Sequence, residues 1–214
     1  MRATVAAPRS ALRGRPPTPG RREDILRAAE EAFARRDYHE VQMDDVARAA
    51  GVAKGTLYRY FRSKRDLHRA VVLDGVERLR REIEHAVGGP VPPARAIERV
   101  VRCTLGFVRD RRRIFALVPH DAPRPDEGVR RRARLVGVVQ GVVERAIAAG
   151  QVRRVDARIA TEILFGMMRA VAHYGPRDDH LEDRVAAVVG VFMGGAGTAA
   201  GKRARLERRA PELP

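Results

Sequence analysis

Apolar residues recur every three or four positions through most of this chain, the period of a helix with one buried face. Ile25, Ala29 and Phe33, with Leu26 beside them, predict a helix from Arg22 to about Arg36. Glu23–Arg27 and Glu31–Arg35 add acid-before-base pairs on its wet face. Met43, Val46, Ala47 and Ala50 form the inner stripe of a second helix, with Asp44 and Asp45 in the first turn, where the macrodipole favours acids. Gly51 stops it. A third helix fits Lys54 to Phe61. Ser63, with Asp66 three residues on, is a capping-box-like start for a fourth, running through Leu67, Val71, Leu79 and Ile83 to about His85. Gly88, Gly89, Pro90, Pro92 and Pro93 then break the chain.

Beyond the break, helices are expected near 94–110, 112–118, 126–149, 156–174 and 179–199. "VGVVQGVV" and "VVGVFM" are rich in β-branched residues and invite a strand reading. Both sit in periodic segments of about twenty residues with no hairpin turn signal nearby, so helices are favoured. The expected fold class is all-α. Residues 1–20, with Pro8, Pro16, Pro17, Pro19 and scattered Arg, lack apolar periodicity and read as a disordered basic arm.

Charge sharpens this picture. The net charge is +16 and the pI is near 11.3, values that favour a polyanionic partner. Lys occurs only at 54, 64 and 202, leaving 40 of the 43 bases as Arg, so part of the excess reflects a GC-rich coding bias. Position is more telling. Residues 48–70 carry Arg48, Lys54, Arg59, Arg62, Lys64, Arg65 and Arg69 against one acid, Asp66, whereas residues 23–47 are acidic overall. A uniform Arg bias does not predict that contrast.

The single cysteine, Cys103, excludes an internal disulfide framework and a multi-Cys zinc site. The first 20 residues lack the apolar segment of a secretory signal, and a cytoplasmic location is expected. Val185 to Gly201 is uncharged but rich in Gly and short of the ~20 residues that span a bilayer, so no membrane association is expected. Neither H-E-x-x-H nor G-x-S-x-G occurs, and "GTAAGKR" lacks the first Gly and the Ser/Thr of a phosphate-binding loop. No enzymatic activity, catalytic residue, metal site or cofactor is expected.

Two short helices joined at Gly51 match a helix-turn-helix, whose second helix lies in the major groove of DNA. A wheel at about 100° per residue divides "GVAKGTLYRYF", Gly51 to Phe61, by role. Leu57 and Phe61 face inward. Gly55, Thr56 and Arg59 face out, and Tyr58 and Tyr60 flank them. Gly55 permits close backbone approach. Thr56 offers a hydroxyl or methyl to a base, and Arg59 a guanidinium to guanine or phosphate. The tyrosine hydroxyls suit phosphate, as do Lys54 and Lys64, the latter at a helix N-terminus.

"VQMDDVARAAGVAKGTLYRYFRSKRDLHRAVV", Val41 to Val72, resembles the DNA-binding segment of the TetR family of bacterial transcriptional regulators. The string G-V-x-K-G-T-L-Y-x-Y-F carries the likeness, which is strong over Arg21 to Arg81 and faint beyond. It departs from the family pattern at three positions. Ala53 replaces the usual Ser cap of the recognition helix, Gln42 replaces the Thr before the preceding helix, and Asp37 replaces a Gly after the first. The resemblance implies contacts to double-stranded DNA from Gln42, Lys54, Gly55, Thr56, Tyr58, Arg59, Tyr60 and Lys64. It also implies a DNA-binding domain at 21–81 and a ligand-binding and dimerisation domain at 82–201, which leaves the basic arm at 1–20 and a basic tail at 202–214.

The family build further implies a homodimer through the last two long helices. Ile159, Ile163, Met167 and Ala170 make one stripe there, and Val185, Val188, Val189, Phe192 and Ala196 another. The interface is expected at Ile163, Met167, Ala170, Val185, Val189 and Phe192. Such a dimer would meet a near-palindromic operator. The implied function is a regulator, by family default a repressor, released by an unidentified small molecule. A transcriptional activator of the same fold and a non-specific architectural DNA binder stand as alternatives. Cys103, Phe107, Phe115, His120, Val139 and Phe165 are candidate ligand-pocket walls, with ordinary core packing as the competing reading for each.

Overall fold

A computed structural model describes residues 20–115, 126–175 and 180–196 of the chain. Residues 1–19 of the expected disordered arm, the basic tail and His120 lie outside these residues. The described residues form α1 (Arg21–Arg35), α2 (Met43–Ala49), α3 (Lys54–Tyr60), α4 (Lys64–Val87), α5 (Pro93–Asp110), α6 (Arg112–Phe115), α7 (Asp126–Ala148), α8 (Ala157–Tyr174) and α9 (Leu181–Ala196). The all-α expectation holds; "VGVVQGVV" lies in α7 and "VVGVFM" in α9.

Element ends have local causes. Ser63 caps α4, its hydroxyl accepting from the Asp66 N–H at 3.1 Å, while the Asp66 carboxylate accepts from the Arg62 N–H at 3.2 Å. α4 runs two residues past His85 and ends at Gly88. Between α2 and α3, Gly51 takes φ 63°, the left-handed region that suits glycine. The Val52 N–H then bonds the Ala47 carbonyl at 2.9 Å and the Gly51 N–H the Arg48 carbonyl at 3.1 Å, closing a Schellman motif. α3 stops one residue short of expectation because Phe61 is extended, at φ −136°, ψ 111°.

Two cores meet along α4. The first gathers Ile25, Leu26, Ala29 and Phe33 of α1 with Val46, Leu57, Phe61, Leu67 and Val71. The second gathers Leu79 and Ile83 with the inner faces of α5, α7, α8 and α9. Ile114 of the four-residue α6 belongs to the first core, although in sequence it follows α5, a helix of the second. Phe115 packs against both. Gly75 of α4 sits between them, and a Cβ there would stand 3.4 Å from the rings of both Phe107 and Phe115.

Candidate DNA-binding surface

α3 is anchored by a single buried residue of its own, Leu57, at 0% exposure, with Phe61 just past its end at 2%. Lys54, Gly55 and Arg59 are exposed, Thr56 is half-buried, and Tyr58 is 41% exposed. A Cβ at Gly55 would meet nothing within 4 Å, so the backbone there is open to close approach. Ala53 supplies no side-chain cap; its carbonyl instead accepts from both Thr56 and Leu57 N–H, at 2.8 and 3.1 Å. Gln42 is exposed before α2 and likewise makes no cap bond.

The basic side chains fall into different situations. Lys54 is exposed and paired with Asp44 at 2.9 Å, and that hydrogen-bonded carboxylate pushes its pKa up. Asp45 accepts from Arg36 at 2.9 Å and lies 3.5 Å from Arg48. Lys64 departs from the expected phosphate anchor. Its ammonium donates to the carbonyls of Tyr38, His39 and Val41 at 2.8, 3.1 and 3.0 Å, which uses all three N–H groups. It pins the α1–α2 connection instead of facing outward. Tyr60 also departs. It is half-buried, its hydroxyl is enclosed, and the Arg59 guanidinium lies 5.9 Å over its ring. Helical angle alone cannot show the neighbours that enclose a flank. The Asp44–Lys54 pair spans the turn, ten positions apart, so no local spacing marks it.

The described candidate pocket walls all lie in or against the second core. Val139 and Phe107 are buried in the second core at 0% and 4% exposure. Cys103 and Phe165 are partly buried against that core, and burial pushes the Cys103 thiol pKa up. Phe115 stands at the junction of the two cores. An open groove of about 550 Å³ lies elsewhere, lined by Glu84, Val87, Gly88, Gly89, Gly137, Val138, Gly141 and Arg145. None of the described wall residues lines it.

The expected dimer residues divide between an outer face and the chain's own core. On α8, Ile159 and Ile163 are 61% and 55% exposed and Ala170 is exposed; Met167 is half-buried. On α9, Val185, Val189 and Phe192 are only 2%, 6% and 4% exposed, so they do not form an outer surface. α9 is apolar around most of its circumference, and that stripe packs into the core that also holds α5. Its outward face carries Ala187, Val191 and Gly194 instead, with Val191 67% exposed. Among the described residues, no helix is long and apolar enough to cross a membrane.

Comparison with known proteins supplies context for this geometry. A family profile described as bacterial regulatory proteins, tetR family, matches residues 25–71, and one described as the tetracyclin repressor-like C-terminal domain matches 90–177. An uncharacterized HTH-type transcriptional regulator of Mycobacterium tuberculosis is 42% identical over 86 residues, 40% of this chain and 43% of that protein. Thus the match spans less than half of that relative's length. The fatty acid metabolism regulator protein of Bacillus subtilis is 21% identical over 76% of this chain and 87% of its own. Among solved structures, the regulator FadR from Bacillus subtilis in complex with stearoyl-CoA has a TM-score of 0.69 at 18% identity, covering 81% of this chain and 98% of that one. A tetR-family regulator from Mesorhizobium loti has a TM-score of 0.65 at 21% identity, covering 83% and 97%.

Proposed function

Because this chain belongs to the TetR family of DNA-binding transcriptional regulators, we propose that it acts as a homodimeric repressor, bound to a near-palindromic operator and released by a small molecule. One observation carries the reading. α3 buries Leu57 while Gly55 and Arg59 stand open to an incoming duplex, with Tyr58 beside them and Thr56 at their margin. Gln42 and Lys54 flank that face and suit phosphate.

The exposed apolar face of α8 and α9, with Ile159, Ile163 and Val191, supports a two-fold dimer through these helices. Two recognition helices would then read two half-sites. The second core favours an apolar effector. Among the described residues its buried polar side chains are Thr104 and Thr161, whose hydroxyl protons go to the Val100 and Ala157 carbonyls, so neither has a donor left for a guest. The acyl chain of a long-chain acyl-CoA suits that apolar core, and stearoyl-CoA, bound by the FadR neighbour, is the first effector to test.

Footprinting on DNA flanking the gene for this chain, with and without stearoyl-CoA, tests the proposal. A protected near-palindrome that weakens with the acyl-CoA is expected. The absence of any protected site there would overturn the operator reading. Protection with transcript levels rising as the site fills would indicate an activator. Binding that ignores sequence and collapses steeply with salt would identify an architectural protein.

A further inference from the structure

One carboxylate gathers three parts of the fold. Glu30 lies on α1, and its side chain is only 17% exposed. Its Oε1 accepts from the Arg111 Nε at 2.8 Å, and its Oε2 accepts from Arg78 of α4. Arg78 is also paired with Asp74 at 3.2 Å. Arg111 sits between α5 and α6, eighty-one positions from Glu30. Its guanidinium lies 4.2 Å from the centroid of the Phe107 ring, which packs on Phe115 at 5.8 Å. Both rings press on α4 at Gly75. Arg111 therefore has one face on the second core and one edge on α1.

Neighbouring contacts secure the same strap. Arg113 donates to the Arg35 carbonyl at the end of α1, and the Ile114 carbonyl lies 3.0 Å from His68 Nε2 of α4. Glu30 nonetheless stands apart, because it alone in this set answers α4 and the α5–α6 corner with the same group. α1, α2 and α3 share one packed core, so whatever fixes α1 fixes the recognition helix. Two guanidiniums, one on each oxygen of a largely buried carboxylate, fix its direction as a single apolar contact does not.

We propose that Glu30 is a positioning residue for DNA recognition: by holding Arg78 and Arg111 on its two oxygens, it sets the orientation of the helix-turn-helix on the C-terminal helices. In a dimer it thereby sets the spacing of the two copies of α3. This rests on the dimeric reading above. Movement of the Phe107 ring shifts Arg111 and is delivered to α1 through the same carboxylate.

The test uses the full chain and compares a footprinted full palindrome with an oligonucleotide carrying one half-site. Glu30→Gln and Arg111→Gln are each expected to weaken full-site binding about tenfold or more while half-site binding stays within about twofold of the unsubstituted chain, since α3 itself is untouched. The double variant should be no weaker than the worse single one. Full-site and half-site binding falling together would reduce Glu30 to general stability and overturn the proposal, as would no change in either. A second measurement covers poor folding of Glu30→Gln. A spin label at Arg65→Cys, with Cys103→Ser, reports the distance between α4 N-termini in the dimer. Arg111→Lys, which keeps the charge but not the planar guanidinium that joins Glu30 to the Phe107 ring, should broaden that distance, and an unchanged distribution overturns the latch. If the unsubstituted chain shows no preference for the full site, the dimeric reading itself falls and takes this one with it.

Discussion

The Lys64 ammonium lies 4.7 Å over the ring of Tyr38 and donates to that residue's own carbonyl at 2.8 Å, across twenty-six positions of sequence. With His39 and Val41 it completes a set of three carbonyl acceptors. A cation so placed holds the α1–α2 connection closed and thereby supports the floor on which α2 and α3 rest.

Lys64→Met is therefore expected to lower folding stability by about 2 kcal/mol, the scale of losing charge-assisted hydrogen bonds and leaving their acceptors to water. Urea unfolding measures it. The slope of operator affinity against salt should be unchanged, because no phosphate contact is lost. A fall of about one in that slope with full stability retained would return Lys64 to the DNA surface.

Lys54 should behave in the opposite way. It is exposed, and its partner Asp44 is exposed too, so folding stability does not depend on the pair. Lys54→Ala is expected to reduce the salt slope by about one and to weaken binding to all sequences alike. Asp44→Asn frees the ammonium and removes a like charge from the phosphate path, so binding should tighten. Gel-shift titrations across a salt series measure both. Tighter binding by Lys54→Ala would contradict a phosphate role.

The two faces of the last helices make a paired test. Ile163→Arg places a charge on an exposed apolar face and should give a folded monomer by sedimentation. Phe192→Ala empties a site in the chain's own core and should cost about 3–5 kcal/mol of stability. A dimer unaffected by Ile163→Arg would move the interface elsewhere.

His68 links pH to stability. It is 7% exposed beside Phe33 and Tyr38, and burial pushes its pKa below the ordinary value of 6.5 despite the Ile114 carbonyl. Between the depressed folded pKa and 6.5, the unfolded chain binds more protons than the folded one. Stability therefore rises with pH through that window and is lost as pH falls through it. His68→Gln, which keeps a donor for Ile114, should flatten this part of the stability profile, followed by thermal melts between pH 5 and 8. An unchanged slope would place the dependence on other groups.

Periodicity located every described helix because a buried face repeats whatever it packs against. Leu57 and Phe61 could be assigned inward from angle alone, and Gly55 and Arg59 outward. Angle failed where the neighbour mattered. Tyr60 lies on a flank of α3, but Arg59 and the first core close over it. Val185, Val189 and Phe192 form an apolar stripe on a helix that is apolar on two sides, and a stripe does not say which side meets the chain itself.

Helical order, the helix-turn-helix at Gly51 and the basic character around it follow from local sequence, since each depends on residues a few positions apart. Tertiary structure decided which charges remain available. Lys64 is consumed by three carbonyls, Lys54 is held by Asp44, and Glu30 is shared by Arg78 and Arg111. It also decided that Ile114, far along the chain, completes the first core. Ion pairs and core membership depend on distances between side chains brought together from remote segments, and no local pattern encodes those distances.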